Sequence, residues 1–538
     1  MQRKLSSNEE STAGHVRGAP VLGRRYVPTL TLISHPDLQR AGERALLEVL
    51  ETLGVPMSMS RNGPDFSRPG VPGARPLDDP FLSRTPLWLE PRPRGGLRLV
   101  APAQGTHVAV ADTPVHGAVE LTAEALREGV PLVLAERLVL LLHLTAVPGP
   151  RGVDDLGLLG PSERLQQLRE DILRVADLPV PVLIRGETGT GKELVARAIH
   201  EHGPRRSGPF VSVNLGALSK ELVAAELFGA RRGAYTGASV ERDGFFRAAH
   251  GGTLFLDEIG EAPTEVQAAL LRVIESGEVC PVGGHSPVPV DVRLVAATDA
   301  DLEARIEERL FKAPLLHRLA GFELRVPALR ERREDIGPLF LHFARRELAN
   351  LGESHRLSRG DARAEPWLPA SLMVRLLRHA WPGNVRQLHN VTRQLIIGSR
   401  GLPHLRVPSF LEQELASAST PLGGRLALAP LPALERPPSN PRARRKPSDV
   451  GEHELLEALR ESAWDLQATA ERLGIPRSSV YLLIERSSLL RAAGDVSAEE
   501  LTRCFHECAG DIDAMARRLE VSRRALQRRI RELGLSGG

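Results

Sequence analysis

LPVPVLIRGETGTGKELVARAIH (residues 178–200) is the stretch on which the reading of this chain turns. It opens as an apolar run, closes as an amphipathic helix pattern, and places Gly186, Gly189 and Gly191 between the two. A strand, a glycine-rich turn and a helix in that order make a cradle for an anion. Without Cβ atoms the turn can fold its backbone N–H groups, at positions such as Glu187, Thr188 and Thr190, inward around a phosphate. The helix opening near Lys192 aims its positive dipole end at the same point, and Lys192 adds a point charge for the outer phosphates. The string fits GxxxxGK[ST] except at its end, where Glu193 replaces the hydroxyl that would touch magnesium.

A second element follows at GGTLFLDEIGE (251–261), an apolar strand that runs into Asp257 and Glu258. Asp257 is expected to hold Mg2+, mostly through water given Glu193, and Glu258 to polarise an attacking water. The plainer alternative is an ordinary strand followed by acidic helix-cap residues. Two such elements in the right order favour an ATP site.

Working outward, residues 160–345 alternate apolar strands with amphipathic helices, the pattern of a parallel α/β sheet. From 345 to 398 the pattern turns helical. Upstream, runs such as PTLTLIS, TPLWLE, GLRLVAP and THVAVAD are separated by Pro and Gly, which suggests a small β-sandwich. Residues 401–449 are rich in Pro, Ala and Leu and end in PRARRKPSD, a flexible basic linker. The expected plan is a tail over 1–27, a sandwich over 28–146, an α/β subdomain over 156–345, a helical subdomain over 346–400, a linker over 401–450, and two C-terminal repeats over 451–490 and 495–536.

Those repeats are internal copies. WDLQATAERLGIPRSSVYLLIER (464–486) aligns without gaps to GDIDAMARRLEVSRRALQRRIRE (510–532), at an offset of 46 residues. Each copy reads as helix, short turn and second helix, the spacing of a helix-turn-helix. In the second copy Ser522, Arg523, Arg524, Gln527, Arg528 and Arg529 crowd the second helix, where arginine and glutamine can reach base edges and phosphates. A solvated basic face is the competing reading, and the helix-turn-helix setting argues against it. In the first copy the second helix reads VYLLIER, suited to a dimer interface or a degenerate repeat.

The 538 residues carry a net charge of +3, too little to argue for nucleic acid by itself. No window reaches the 18 apolar residues of a membrane span. The start MQRKLSSNEES has no apolar stretch, so no secretory signal is expected. Three cysteines, Cys280, Cys504 and Cys508, cannot make a disulfide framework and fit a reducing cytoplasm. Cys504 and Cys508, one helical turn apart, are expected in a core rather than on a metal.

With these motifs quoted, residues 156–398 resemble the AAA+ ATPase domain of bacterial enhancer-binding proteins, the activators of sigma-54 RNA polymerase. GETGTGKE is similar to that family's own Walker A, glutamate included. GAYTGA, comprising Gly233, Ala234, Tyr235, Thr236, Gly237 and Ala238, resembles the loop with which the family contacts sigma-54, and it follows ELFG (226–229). VDVRLVAAT (290–298), LRERREDI (329–336) and WPGNVRQL (381–388) extend the match. The resemblance implies that Arg386 is the sensor II arginine, and that FKAPLLHRL (311–319) supplies arginine fingers to a neighbouring subunit. Arg318 matches the second finger and Lys312 stands at the first, keeping the charge without the bidentate fork. Three further departures are Tyr235 for phenylalanine, Asp299 for the sensor I asparagine, and Gln387 for the glutamate after sensor II.

At the N-terminal end, SRNGPDF (60–66) and DDPFLSRTPLWLE (78–90) resemble a forkhead-associated (FHA) domain, implying a phosphothreonine protein partner held by Arg61, Ser83 and Arg84. The C-terminal copies resemble Fis-type helix-turn-helix domains. Together these readings imply a cytoplasmic transcriptional activator. It would bind upstream DNA, form a homo-oligomeric ring, by resemblance a hexamer, and use ATP with Mg2+ to remodel sigma-54 RNA polymerase. The rival reading is a DNA-bound regulator in which ATP is mainly a structural ligand and polymerase is not remodelled.

Overall fold

The structure, a computed structural model, describes residues 25–68, 73–147, 155–234, 241–358 and 362–417. In the C-terminal part it describes 450–462, 466–473, 475, 480, 483, 497–508, 515, 518–519, 526 and 529. The chain divides into two compact units, Met1–Ala429 and Pro430–Gly538.

The first unit begins with two antiparallel sheets. One has the strand order Arg44–Leu46, Tyr26–Ser34, Leu138–Ala146, Val130–Leu134, Val108–Val110, Thr113–Pro114. The other runs Met57–Met59, Leu87–Pro91, Leu97–Val100, Ala118–Leu121. Because side chains alternate along a strand, Leu30, Leu32, Leu140 and Leu142 fall on one face and pack against Leu87, Leu89, Leu97 and Leu99 of the second sheet.

The opposite face of the first sheet is buried too. Ile33, Val139 and Leu141 belong to the same core as Leu339, Phe340, Leu372 and Met373 from the helical region that follows the central sheet. Contact there is close: a Cβ on Gly337 would lie 2.4 Å from the Ile33 carbonyl oxygen, so glycine is what allows helix Ile336–Asn350 to approach. Several polar groups on this face are paired, as most buried groups are. Thr31 Oγ1 lies 2.8 Å from His143 Nε2. Arg137, beside Asp79, donates to the carbonyl oxygens of Ala362 and Ala364 at 2.8 Å each.

The central sheet is wholly parallel, in the order Phe210–Asn214, Thr253–Asp257, Arg293–Thr298, Val182–Arg185, Phe322–Arg325. Its strands are apolar on both faces, as a sheet covered on both sides requires. Leu183, Leu254, Leu256 and Ala296 pack one way, and Val182, Ile184, Phe255, Val295 and Ala297 the other. The sheet ends at Arg325, and helix Ile336–Asn350 crosses residue 345, the boundary expected from the sequence pattern. Helices Ala370–Arg378, Asn384–Gly398 and Ser409–Ser417 complete the helical part. Among the described residues no helix is long and apolar enough to cross a membrane.

In the second unit, helices Glu452–Glu461 and Ala498–Glu507 are themselves separated by 46 residues. Each copy therefore has a helix ahead of the aligned segment, inside the expected bounds 451–490 and 495–536. Leu455 and Leu501 are both buried, as are Ala458 and Cys504. Arg472 pairs with Glu461, and Arg518, 46 residues on, pairs with Glu507. Val480 and Leu526, equivalent in the two copies, are both fully buried. The ten positions of this first helix share three identities between the copies, and its burial pattern is repeated. Cys504 is buried, with its sulfur 3.9 Å from that of Cys508. No cluster of three metal-ligating side chains is present among the described residues.

Candidate nucleotide site and its neighbours

Strand Val182–Arg185 delivers the chain into the glycine-rich turn at the carboxyl end of the parallel sheet, the usual ligand edge of such a sheet. Gly189 (φ 77°) and Gly191 (φ 104°) adopt left-handed conformations that side chains with a Cβ resist. Gly191 caps helix Lys192–Glu201, so the helix N-terminus opens directly onto the turn. Lys192 is nearly buried, and its Nζ donates to the Gly186 carbonyl oxygen at 2.9 Å, which holds the ammonium over the loop without neutralising it.

The loop is fastened from two sides. Glu187 accepts two hydrogen bonds from Arg330, at 2.8 and 2.5 Å, and one from Asn384 Nδ2 at 3.0 Å. Hydrogen bonding to Arg330 leads the causes that hold the Glu187 carboxyl down at about 2. Asn384 also donates to the Thr188 carbonyl oxygen, and Gly189 O accepts from the N–H groups of Val385 and Arg386. On the other side, Thr188 Oγ1 donates to Asp299 at 2.5 Å, while Thr190 Oγ1 donates to Glu187 O.

Asp257 ends its strand opposite Asn214, and Glu258 follows in a left-handed conformation (φ 57°). Burial raises both carboxyls. Glu258 is pushed up to about 7, by burial first and then by the Asp299 carboxylate it faces. At Asp299 burial works upward, but hydrogen bonds from Thr188 and Glu258 and the charge of Lys192 outweigh it and leave that carboxyl low.

A cavity of about 390 Å³ joins these groups. Thr188, Gly189, Thr190, Gly191, Lys192, Glu193, Asp257, Glu258 and Arg386 all line it, so the structure brings together the phosphate-facing residues that the sequence marks. Arg386 has no ion-pair partner among the described residues. Gly186 and Glu187 stand behind the loop as its supports. Arg330 and Asn384 are absent from the sequence-derived site, although both lie inside motifs quoted for it, LRERREDI and WPGNVRQL.

This cleft is where known proteins are most informative. Residues 158–325 match the family described as Sigma-54 interaction domain, and residues 330–420 match the AAA+ ATPase lid domain. The central sheet and the helices after it form an AAA+ nucleotide-binding domain and its lid. A DNA-binding transcriptional regulator NtrC from Bradyrhizobium sp. (strain RP501 Parasponia) is 46% identical over 242 residues, 45% of this chain and 48% of that protein. NtrC from Salmonella typhimurium (strain LT2) is 44% identical over 283 residues, 52% of this chain and 58% of that one. The chain spans about half the length of the curated relatives it matches. A crystal structure of NtrX from Brucella abortus in complex with ATP is 32% identical, covering 70% of each chain at a TM-score of 0.41.

The remaining marked residues lie apart from the cleft. Arg318, on helix Ala313–Leu319, is exposed and its Nε donates to Glu275 at 3.2 Å. Lys312 caps the same helix with its backbone N–H on Gln267 Oε1. Neither lines the chain's own cavity. Of GAYTGA, Gly233 and Ala234 are described, whereas Tyr235, Thr236, Gly237 and Ala238 lie outside the described residues. The base of that segment is pinned by reciprocal backbone hydrogen bonds between Ala230 and Arg242, and by Arg231 N–H on Val282 O.

In the sandwich, Arg61 and Ser83 are adjacent, with Arg61 N–H donating to Ser83 O at 3.1 Å. The Arg61 guanidinium is already on Asp78, at 3.0 Å from Nη2 and 3.2 Å from Nε. Arg84 is exposed beside them. Of the marked residues in the second repeat only Arg529 is described, half-buried; Ser522, Arg523, Arg524, Gln527 and Arg528 lie outside the described residues.

Proposed function

We propose that this chain is a sigma-54-dependent transcriptional activator that hydrolyses ATP to remodel sigma-54 RNA polymerase into an open complex. The observation that carries the reading is the coincidence of the Sigma-54 interaction domain match with an assembled cleft. In that cleft Lys192 and the loop N–H groups bind the phosphates, Glu258 takes the proton of the attacking water, and Arg386 reports nucleotide state to the lid. Glu258 must be ionised to act as a base, and Asp299 opposes that ionisation, so turnover is expected to rise with pH. Asp257 offers the hard carboxylate oxygen that Mg2+ takes, with Glu193 beside it, and the ion would neutralise phosphate charge.

Arg318 and Lys312, facing away from their own cleft, act in a neighbouring subunit's site, which makes the working form a ring, by analogy a hexamer. The GAYTGA segment is the polymerase contact, and the second C-terminal repeat binds upstream DNA through its arginines. The sandwich, read as FHA-like, takes a phosphothreonine partner at Arg61, Ser83 and Arg84. The rival reading, ATP as a structural ligand, draws on Asp299 and Lys312, both unfavourable for fast turnover.

Thr236→Ala separates the two. It should leave ATP hydrolysis near the parent rate while open-complex formation on a sigma-54 promoter is lost. If the parent hydrolyses ATP but never opens a promoter, the rival reading stands.

A further inference from the structure

The cavity has two ends of different chemistry. The phosphate end is polar, with Asn214 beside the groups already described. The other end is apolar, built from Leu158, Leu159, Leu165 and Leu168 on one side and Leu339, Phe343 and Val385 on the other. An aromatic base suits such a slot, but apolar walls alone do not distinguish one base from another: discrimination needs a hydrogen-bonding group whose partner only one base supplies.

His389 is a polar side chain of the lining, as is Arg332, whose Nη2 donates to the Thr190 carbonyl oxygen at 3.3 Å. His389 sits one helical turn beyond Arg386 on helix Asn384–Gly398, hence on the same face, and it lines the cavity. Its ring lies against Phe343, with centroids 4.6 Å apart and planes tilted by 35°. Its Nε2 lies 3.0 Å from Glu347 Oε1. In the neutral ring this carboxylate fixes the proton on Nε2, which leaves Nδ1 an acceptor. Nδ1 has no partner among the described residues.

We propose that His389 reads the base of the nucleotide. Its Nδ1 accepts from an exocyclic amino group of the adenine class and offers nothing to the 6-oxo group of guanine. Phe343 and Glu347 are positioning residues that hold the ring. The inference rests on the cleft being the nucleotide site.

The test measures affinities of the full chain for ATP, GTP and inorganic tripolyphosphate, which has the phosphates and no base. His389→Ala should weaken ATP about tenfold, bring the ATP-to-GTP preference to near unity and leave tripolyphosphate unchanged. Glu347→Ala should follow it in part, whereas Glu347→Gln, which still accepts from Nε2–H, should keep most of the preference. An unchanged preference in His389→Ala overturns the proposal, and so does an equal loss of tripolyphosphate, which would mean a disturbed lid. A parent that binds neither ATP nor tripolyphosphate would instead remove the nucleotide reading itself.

Discussion

The lid is held on two faces by opposite means. Toward the sandwich it presents Leu339, Phe340, Leu372 and Met373 to Ile33, Val139 and Leu141, in a core closed to water. Toward the phosphate loop it presents Arg330, Asn384 and the N–H groups of Val385 and Arg386 to Glu187, Thr188 and Gly189. Apolar burial is non-directional and grows with area, so the first face has no alternative arrangement of similar energy. Hydrogen bonds to a loop that also binds phosphate can be exchanged as the loop changes its ligand. Sandwich and lid should therefore move as one body, with nucleotide-linked motion taken up at the polar face.

The largest expected effect breaks the apolar face. Phe340 is fully buried between sheet and helices. Phe340→Ala should cost about 3–5 kcal/mol, and because the core is shared, calorimetry should show sandwich and lid losing stability together. A sandwich transition that stays at the parent temperature while the rest falls would show that the two are not one body.

The polar face is probed next. Lys192→Ala removes the cation above the loop and should weaken ATP binding by about 100-fold, close to 3 kcal/mol. Without nucleotide the variant should lose only part of that in stability, since the Lys192 ammonium donates to the Gly186 carbonyl oxygen and its charge also acts on Asp257, Glu258 and Asp299. Unchanged ATP affinity would refute the site assignment.

How much of this was legible in the sequence depends on the range of the contacts. The phosphate loop and the Asp257–Glu258 strand end are local patterns, and each stands where its motif put it. The shared core is not local. PTLTLIS alternates threonine with leucine and reads as a strand with one wet face, yet Thr29 and Thr31 are both fully buried. A signal did exist in Leu138–Ala146, whose apolar residues continue across both faces, as in strands covered on both sides. Arg330 and Asn384 were missed for a different reason: their partner Glu187 lies 143 and 197 residues away.

A smaller effect concerns the carboxyls of the cleft. Glu258 has a folded value of about 7 against an ordinary 4.5, so the folded state holds this proton more tightly than the unfolded chain. The corresponding stability is fully present below about pH 4.5 and is lost as pH rises through 7. Glu258→Gln carries no titrating proton and keeps it. Without nucleotide, the variant should match the parent at pH 4.5 and exceed it at pH 8 by about 1 kcal/mol, after allowance for solvent screening of a half-exposed group. Identical melting curves at pH 8 would show that burial and Asp299 do not strain this carboxyl.

The smallest effect lies in the sandwich, where an arginine–carboxylate pair resembles Glu187–Arg330 but has a more exposed carboxylate. Arg61 and Asp78 have side chains 33% and 70% exposed, against 42% and 39% for Glu187 and Arg330, whose contact is bidentate and backed by Asn384. An exposed pair contributes only about 0–1 kcal/mol, so an incoming phosphate could displace Asp78 at little cost. Asp78→Asn should then raise the affinity of a phosphothreonine peptide by no more than about fivefold, whereas Arg61→Ala should abolish binding. Fluorescence anisotropy with matched phosphorylated and unphosphorylated peptides would read both changes. A parent that binds the two peptides equally, or an Arg61→Ala variant that still prefers the phosphorylated one, would leave Arg61–Asp78 as a structural pair and the sandwich as a scaffold for the lid.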